Sequence, residues 1–174
     1  LQFSSGVFDL NGGTSLTGTG KFDIAGATVS FNAPVSMPNL TLSGGTLTGS
    51  GTVTVTGTLD WLTGYMDGPG VTTIASGGAL NIGSAWYPYL NGRTLNNAGS
   101  TTLSGAYFFY LYNGAVFNNQ ATGTFTVQND QNIYSDVTAT FVNAGVFSKS
   151  TGTGTTMVQP AFSNTGTIGV QSGV

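Results

Sequence analysis

The chain reads as an all-β protein, a right-handed parallel β-helix of about 21–24 residues per coil, on three observations. A short phrase, an apolar residue followed by Asn and then Gly, returns at near-constant spacing through the second half. Each copy is followed by a short period-2 segment, the pattern of a strand with one buried face. No stretch carries a helical period, and the abundance of Gly, Thr and β-branched residues argues against helix throughout.

The four copies are Leu95-Asn96-Asn97-Ala98-Gly99, Phe117-Asn118-Asn119-Gln120-Ala121-Thr122-Gly123, Phe141-Val142-Asn143-Ala144-Gly145 and Phe162-Ser163-Asn164-Thr165-Gly166. Their last Asn residues stand 22, 24 and 21 apart (97 to 119 to 143 to 164). Steps of that size mark a solenoid, in which residues of equal phase lie in a column on one face. A propeller blade needs roughly 40–50 residues per repeat. Right-handedness is expected because the hexapeptide rhythm of left-handed coils is missing.

The alternating segments are Thr101-Thr102-Leu103, Thr124-Phe125-Thr126-Val127, Val146-Phe147-Ser148 and Thr167-Ile168-Gly169-Val170. Earlier, Gly replaces Asn: Leu16-Thr17-Gly18, Leu47-Thr48-Gly49 and Met66-Asp67-Gly68 open similar runs. The phrase is therefore expected to start at 16, 47, 66, 95, 117, 141 and 162, with an irregular coil near Phe31-Asn32-Ala33-Pro34. The repeated Gly is assigned to positive φ at a coil corner. The repeated Asn is assigned to an amide ladder between coils. Phe117, Phe125, Phe141, Phe147 and Phe162 are expected inside.

The chain's 174 residues suffice for one domain over 1–174, read as a module cut from a longer polypeptide because it begins at Leu1 without a signal-peptide pattern. Charged residues are 5%, against about 25% in typical soluble proteins. Twenty aromatic residues and a net charge of −3 exclude a disordered chain. Three scattered basic residues, Lys21, Arg93 and Lys149, exclude a nucleic-acid partner, which requires clustered cations. No apolar run approaches a membrane span. The Thr/Gly/Asn-rich, Lys/Glu-poor style suits an extracellular bacterial protein, secreted or on the cell surface.

Chemistry is scarce. His, Cys and Glu are absent, so no Ser-His or Cys-His pair and no imidazole or thiolate metal site can form. Asp9, Asp23, Asp60, Asp67, Asp130 and Asp136 make no convincing facing pair, and Asp60 with Asp67 is the least implausible couple for glycoside hydrolysis. No catalytic residue, metal ligand or cofactor is assigned. A structural calcium held by Asp and backbone carbonyls is the one ion the composition admits, and it is not predicted.

Tyr and Trp concentrate just before each phrase: Trp61, Tyr65, Trp86, Tyr87, Tyr89, Tyr107, Tyr110, Tyr112 and Tyr134. Coils in register gather these rings on one side. Alternation over 107–112 sends Tyr107, Phe109 and Leu111 inward and Phe108, Tyr110 and Tyr112 outward, so the wall cannot bury every ring. An exposed row of polar-tipped aromatics marks a binding surface. A row of ring faces at the coil pitch suits a neutral extended polysaccharide, with Asp60, Asp67, Asn91, Arg93 and Asn113 supplying hydrogen bonds. The carbohydrate-binding set is thus Trp61, Tyr65, Trp86, Tyr87, Tyr89, Tyr107, Tyr110, Tyr112, Asp60, Asn91 and Arg93. A spacer or adhesin solenoid without glycan specificity is the alternative. Ice binding by Thr rows ranks lower, since the Thr-x-Thr pairs do not recur at one phase, and a lyase or hydrolase ranks last.

The Asn-x-Gly phrases resemble the β-solenoid repeats of large secreted bacterial proteins and adhesins over about residues 66–174. With its Trp/Tyr wall, the chain is also similar to the β-helical carbohydrate-binding modules attached to xylan-degrading enzymes of gut bacteria. That resemblance implies a monomer tethered to a catalytic or anchoring domain, binding xylan-type chains without catalysis.

Overall fold

Short strands with Gly-containing bends between them can bury a core only by stacking coil on coil, and this is what the chain does. The computed structural model describes residues 1–174. It contains no helix, and its strands pair in parallel as a β-solenoid of about eight turns.

Three walls enclose the core. Strands Val71–Ile74, Thr94–Asn97, Val116–Asn119, Thr140–Asn143 and Ala161–Asn164 form the asparagine wall. Ala79–Ile82, Ser100–Leu103, Thr124–Val127, Val146–Lys149 and Thr167–Val170 form the next. Two longer strands, Val35–Leu42 and Thr52–Trp61, run across both of these walls and join them into one bent sheet. A separate seven-stranded sheet closes the third side, with strands Val7–Leu10, Thr28–Phe31, Thr46–Thr48, Gly64–Asp67, Pro88–Asn91, Phe109–Tyr112 and Ile133–Ser135.

The predicted register holds across the asparagine wall. Leu95, Phe117, Phe141 and Phe162 lie in one column, and Asn97, Asn119, Asn143 and Asn164 in another. Phe117, Phe125, Phe141 and Phe147 are buried, and Phe162 is half-buried. The rings stack along the axis, Phe117 on Phe141 at 4.8 Å and Phe125 on Phe147 at 5.3 Å. The asparagine ladder is continuous: each Nδ2 donates to the next Oδ1, at 2.8 Å from Asn97, 2.7 Å from Asn119 and 2.6 Å from Asn143. Each amide also donates to a backbone carbonyl of the following coil, Thr124, Val146 or Thr167.

Three expectations are corrected. The early Gly phrases belong to a different corner from the Asn phrases. Leu47 pairs with Met66 and Met66 with Leu90 on the third wall, whereas Leu95 pairs with Thr72 on the asparagine wall. Leu16 lies outside any strand. Both phrases answer one local need, an inward apolar residue before a sharp bend, so sequence alone does not separate the corners.

The glycines divide likewise. Gly49, Gly68 and Gly92, at the corner leaving the third wall, have positive φ, and Asn113 takes that place one coil later with φ 54°. Gly99, Gly123, Gly145 and Gly166 do not. At each of them a Cβ would overlap a backbone carbonyl of the coil beneath, so glycine is required by coil-to-coil approach and not by φ.

The irregularity lies elsewhere than at Phe31–Pro34. Phe31 is buried at a strand end, and the register shift falls between Met37 and Asn39, around Pro38. Pro38 offers no N–H to a ladder, and the partner strand accommodates an additional residue there.

Candidate functional site

The outward positions of the seven-stranded wall alternate with buried Met66, Leu90, Phe109, Leu111 and Ile133, so pairing register alone aligns what they carry. Tyr65, Tyr89, Tyr110 and Tyr134 are partners on successive strands and make one column. Tyr112 stands beside it, in register with Asn91 and Asp67. Tyr87, Phe108, Trp86 and Tyr107 come from the segments leading into the strands and flank the column on its other side. All seven tyrosines of the chain are on this wall.

The rings of the column stack on one another. Tyr65 and Tyr89 are 4.7 Å apart at 11°, Tyr89 and Tyr110 5.3 Å at 19°, and Tyr110 and Tyr134 5.5 Å at 20°. Flanking rings meet these edge-on or tilted: Tyr87 on Tyr110 at 5.3 Å, Phe108 on Tyr134 at 4.7 Å. Trp86 packs on Tyr107 at 4.9 Å and is 56% exposed, while Tyr65 at the other end of the array is 45% exposed. The remaining tyrosines are half-buried.

One consequence alters the expected platform. Faces that stack on each other are not open to a ligand, so the column shows its edges and hydroxyls outward. Of the seven phenol hydroxyls only that of Tyr134 has an intramolecular partner, the Asn132 amide at 3.3 Å, and none of the others is buried. Partial burial, then the neighbouring tyrosines, push Tyr89, Tyr110 and Tyr112 above the ordinary tyrosine pKa, so these phenols stay neutral at physiological pH.

Beside Tyr112 runs a polar ladder. The Asn91 amide donates to Asp67 Oδ1 at 2.8 Å, and the Asn113 amide donates to Asn91 Oδ1 at 2.6 Å. Asp136 accepts from the backbone N–H of Asn113 and from Thr138, which hold its carboxyl below the usual aspartate range.

Three of the expected carbohydrate-binding residues are not on this surface. Trp61 is fully buried, because Leu59 and Trp61 both face inward from the strand Thr52–Trp61; its ring meets the edge of Phe109 at 5.6 Å and its N–H donates to the Gly64 carbonyl at 3.3 Å. Asp60 lies on a different wall, paired with Lys21 at 2.9 Å and accepting from Asn81. It therefore also stands apart from Asp67. Arg93 is fully buried at the corner before Thr94–Asn97. Its Nε donates to Thr72 Oγ1 at 2.9 Å. Its Nη atoms donate to the carbonyls of Gly49, Asp67, Gly51 and Val71 at 3.1–3.3 Å, so all five N–H groups are used. Burial lowers its pKa to about 10, against a smaller opposing pull from Asp67, and it remains charged.

Tyr107 is corrected in the other direction. The strand begins only at Phe109, so alternation does not reach Tyr107, which joins the outer cluster on Trp86 and Tyr87. Phe108 and Tyr134 complete the wall although neither was in the expected set. The signal for both was present, an outward phase for Phe108 and register with Tyr110 for Tyr134.

The wall has no enclosed cavity. The one concavity, about 280 Å³, is a shallow groove at another corner, lined by small residues including Gly78, Gly99 and Thr124. Nowhere do three or more carboxylates converge as they would around a metal ion. Comparison with protein families, curated proteins and solved structures finds no match to this chain.

Proposed function

We propose that the chain is a non-catalytic carbohydrate-binding module that holds a neutral plant cell-wall polysaccharide, xylan foremost, on its tyrosine-rich wall. The observation that carries this reading is the gathering of all seven tyrosines and Trp86 on one wall with six phenol hydroxyls free of intramolecular partners. A wall evolved only for packing has no need of polar tips. Tyrosine and tryptophan combine an apolar body with a hydrogen-bonding tip, the combination a sugar ring requires. The engaged state of all three basic side chains favours an uncharged glycan over a polyanionic one. On this reading the protein acts outside the cell, as a monomer tethered to a catalytic or anchoring domain, without a cofactor. Affinity is modest, because an open wall encloses little of its ligand.

Affinity gel electrophoresis against soluble xylan, mixed-linkage glucan and mannan tests the reading, with retention on insoluble xylan and cellulose beside it. Retardation by xylan is expected. Trp86→Ala combined with Tyr110→Ala should abolish it, and unimpaired binding by that variant counts against the proposal.

A second reading is favoured by the ring-on-ring stacking itself. Aromatic and amide ladders join coil to coil, as a spacer or adhesin rod requires. Folded protein that binds nothing across a broad glycan panel would select it.

A further inference from the structure

Building on the glycan reading, we infer that a single sugar chain lies along the solenoid axis over the tyrosine column. One pyranose unit sits per coil, held through the hydroxyls of Tyr65, Tyr89, Tyr110 and Tyr134 and not on the faces of their rings. Three features of the wall lead there.

The first is the occupation of the ring faces. Interplanar angles of 11°, 19° and 20° leave each central ring sandwiched between its neighbours. A sugar cannot insert between rings held by parallel strands about 4.8 Å apart. What the column offers outward is a row of phenol oxygens, each a donor and an acceptor.

The second is pitch. Successive rings are 4.7, 5.3 and 5.5 Å apart, about the advance of one pyranose unit in an extended β-1,4-linked chain. Each hydroxyl therefore meets one sugar unit, and because neighbouring units of such a chain are turned about its axis, the phenol oxygens, as donors and acceptors at once, serve whichever edge each unit presents.

The third is length. The column is bounded at both ends by short or flexible polar side chains. Thr46 pairs with Tyr65 on one side, and beyond Tyr134 the Gln159 side chain accepts from the Ser135 backbone N–H. Four rungs define four sugar subsites. The flanks are unlike: Tyr87 and Phe108 present apolar edges on one side, while Tyr112 and the Asp67–Asn91–Asn113 ladder present polar groups on the other. A chain lying in the column thus meets apolar edges along one side and hydrogen-bonding groups along the other.

Calorimetric titration with xylo-oligosaccharides of two to six units tests the inference. Affinity should rise with each unit up to four and level off thereafter. Tyr89→Phe and Tyr110→Phe keep the stack and remove the hydroxyl; each should weaken xylotetraose binding about fivefold, the size of one net hydrogen bond, with the thermal midpoint unchanged. Full affinity in the Tyr89→Phe/Tyr110→Phe double variant, or affinity that ignores chain length, would overturn this mode while leaving glycan binding standing. Failure of the wild-type protein to bind any oligosaccharide or polysaccharide would overturn both.

Discussion

Arg93 is the most demanding single residue of the chain. It is a cation sealed inside the solenoid with no carboxylate bonded to it, and it is compensated by four carbonyl dipoles and one hydroxyl. Arg93→Ala strips partners from carbonyls in two preceding coils and opens a cavity. It should destabilise the fold by about 3 kcal/mol or more, measured by chemical denaturation. Arg93→Lys should recover only part of this, because one ammonium cannot reach five acceptors in a fork. Glycines give a sharper contrast. Gly77 has φ +82° and open space around its missing Cβ, so Gly77→Ala should cost about 1–2 kcal/mol of conformational strain. Gly145 has an ordinary φ but lies against the Gly123 carbonyl, so Gly145→Ala must push two coils apart and should be far worse. Both glycines lie between the asparagine wall and the next one, so equal losses in the two variants would contradict the distinction drawn between glycine required by φ and glycine required by coil-to-coil approach.

At the scale of the strand and its ladders, the asparagines work as a unit. Asn119 accepts from Asn97 and donates to Asn143 and to the Val146 carbonyl. Asn119→Ala should therefore destabilise by about 2–3 kcal/mol, since buried groups on two coils lose partners. The tyrosine column makes a pH prediction. Tyr89, Tyr110 and Tyr112 titrate above the reference value of 10.0 in the folded state, so the unfolded chain releases its phenol protons first. The stability this contributes is complete below pH 10 and is lost as pH rises through the folded-state values. Ultraviolet titration should show phenolate forming later in the folded protein than in urea, with thermal stability declining over the same window. The ladder and the column were both legible in the sequence because strand alternation and a repeated step fix phase. Trp61 and Arg93 were not. Trp61 ends the strand that crosses two walls, just ahead of the corner leading to the third, and a local pattern does not say on which side of the corner a residue falls. Arg93 follows Gly92 in a bend that looks exposed until two earlier coils are placed beneath it.

The whole molecule is held by contacts between coils. A chain with 5% charged residues has little surface electrostatics to lose, and its two ion pairs, Lys21–Asp60 and Lys149–Asp130, each involve an exposed or half-exposed carboxylate. Stability should thus depend weakly on ionic strength, a prediction that thermal melts across a salt series would check. The repeat step predicted the coil, and three-sided closure followed from strands separated by short bends. Assigning each phrase to one of three corners required the pairing itself, which is why Leu47 and Met66 were matched to Leu95. The function is the least legible level. Rows of tyrosine were visible in the sequence, but whether rings turn their faces or their edges to water depends on side-chain stacking that no spacing encodes.

The segment from Arg93 to Asn97 has a role that neither of its end residues reveals alone. Every bond from the Arg93 side chain runs back to earlier coils, while the Asn97 amide donates forward and its own Oδ1 has no partner, Ile74 being the residue beneath it. Two fastening systems are thus spliced through the five residues from Arg93 to Asn97, and this segment is the keystone of the rod under tension. Pulled from its two ends in an optical trap, the native protein should hold across that splice, whereas the Arg93→Ala rod should part there first, leaving the asparagine-bound segment to rupture at higher force.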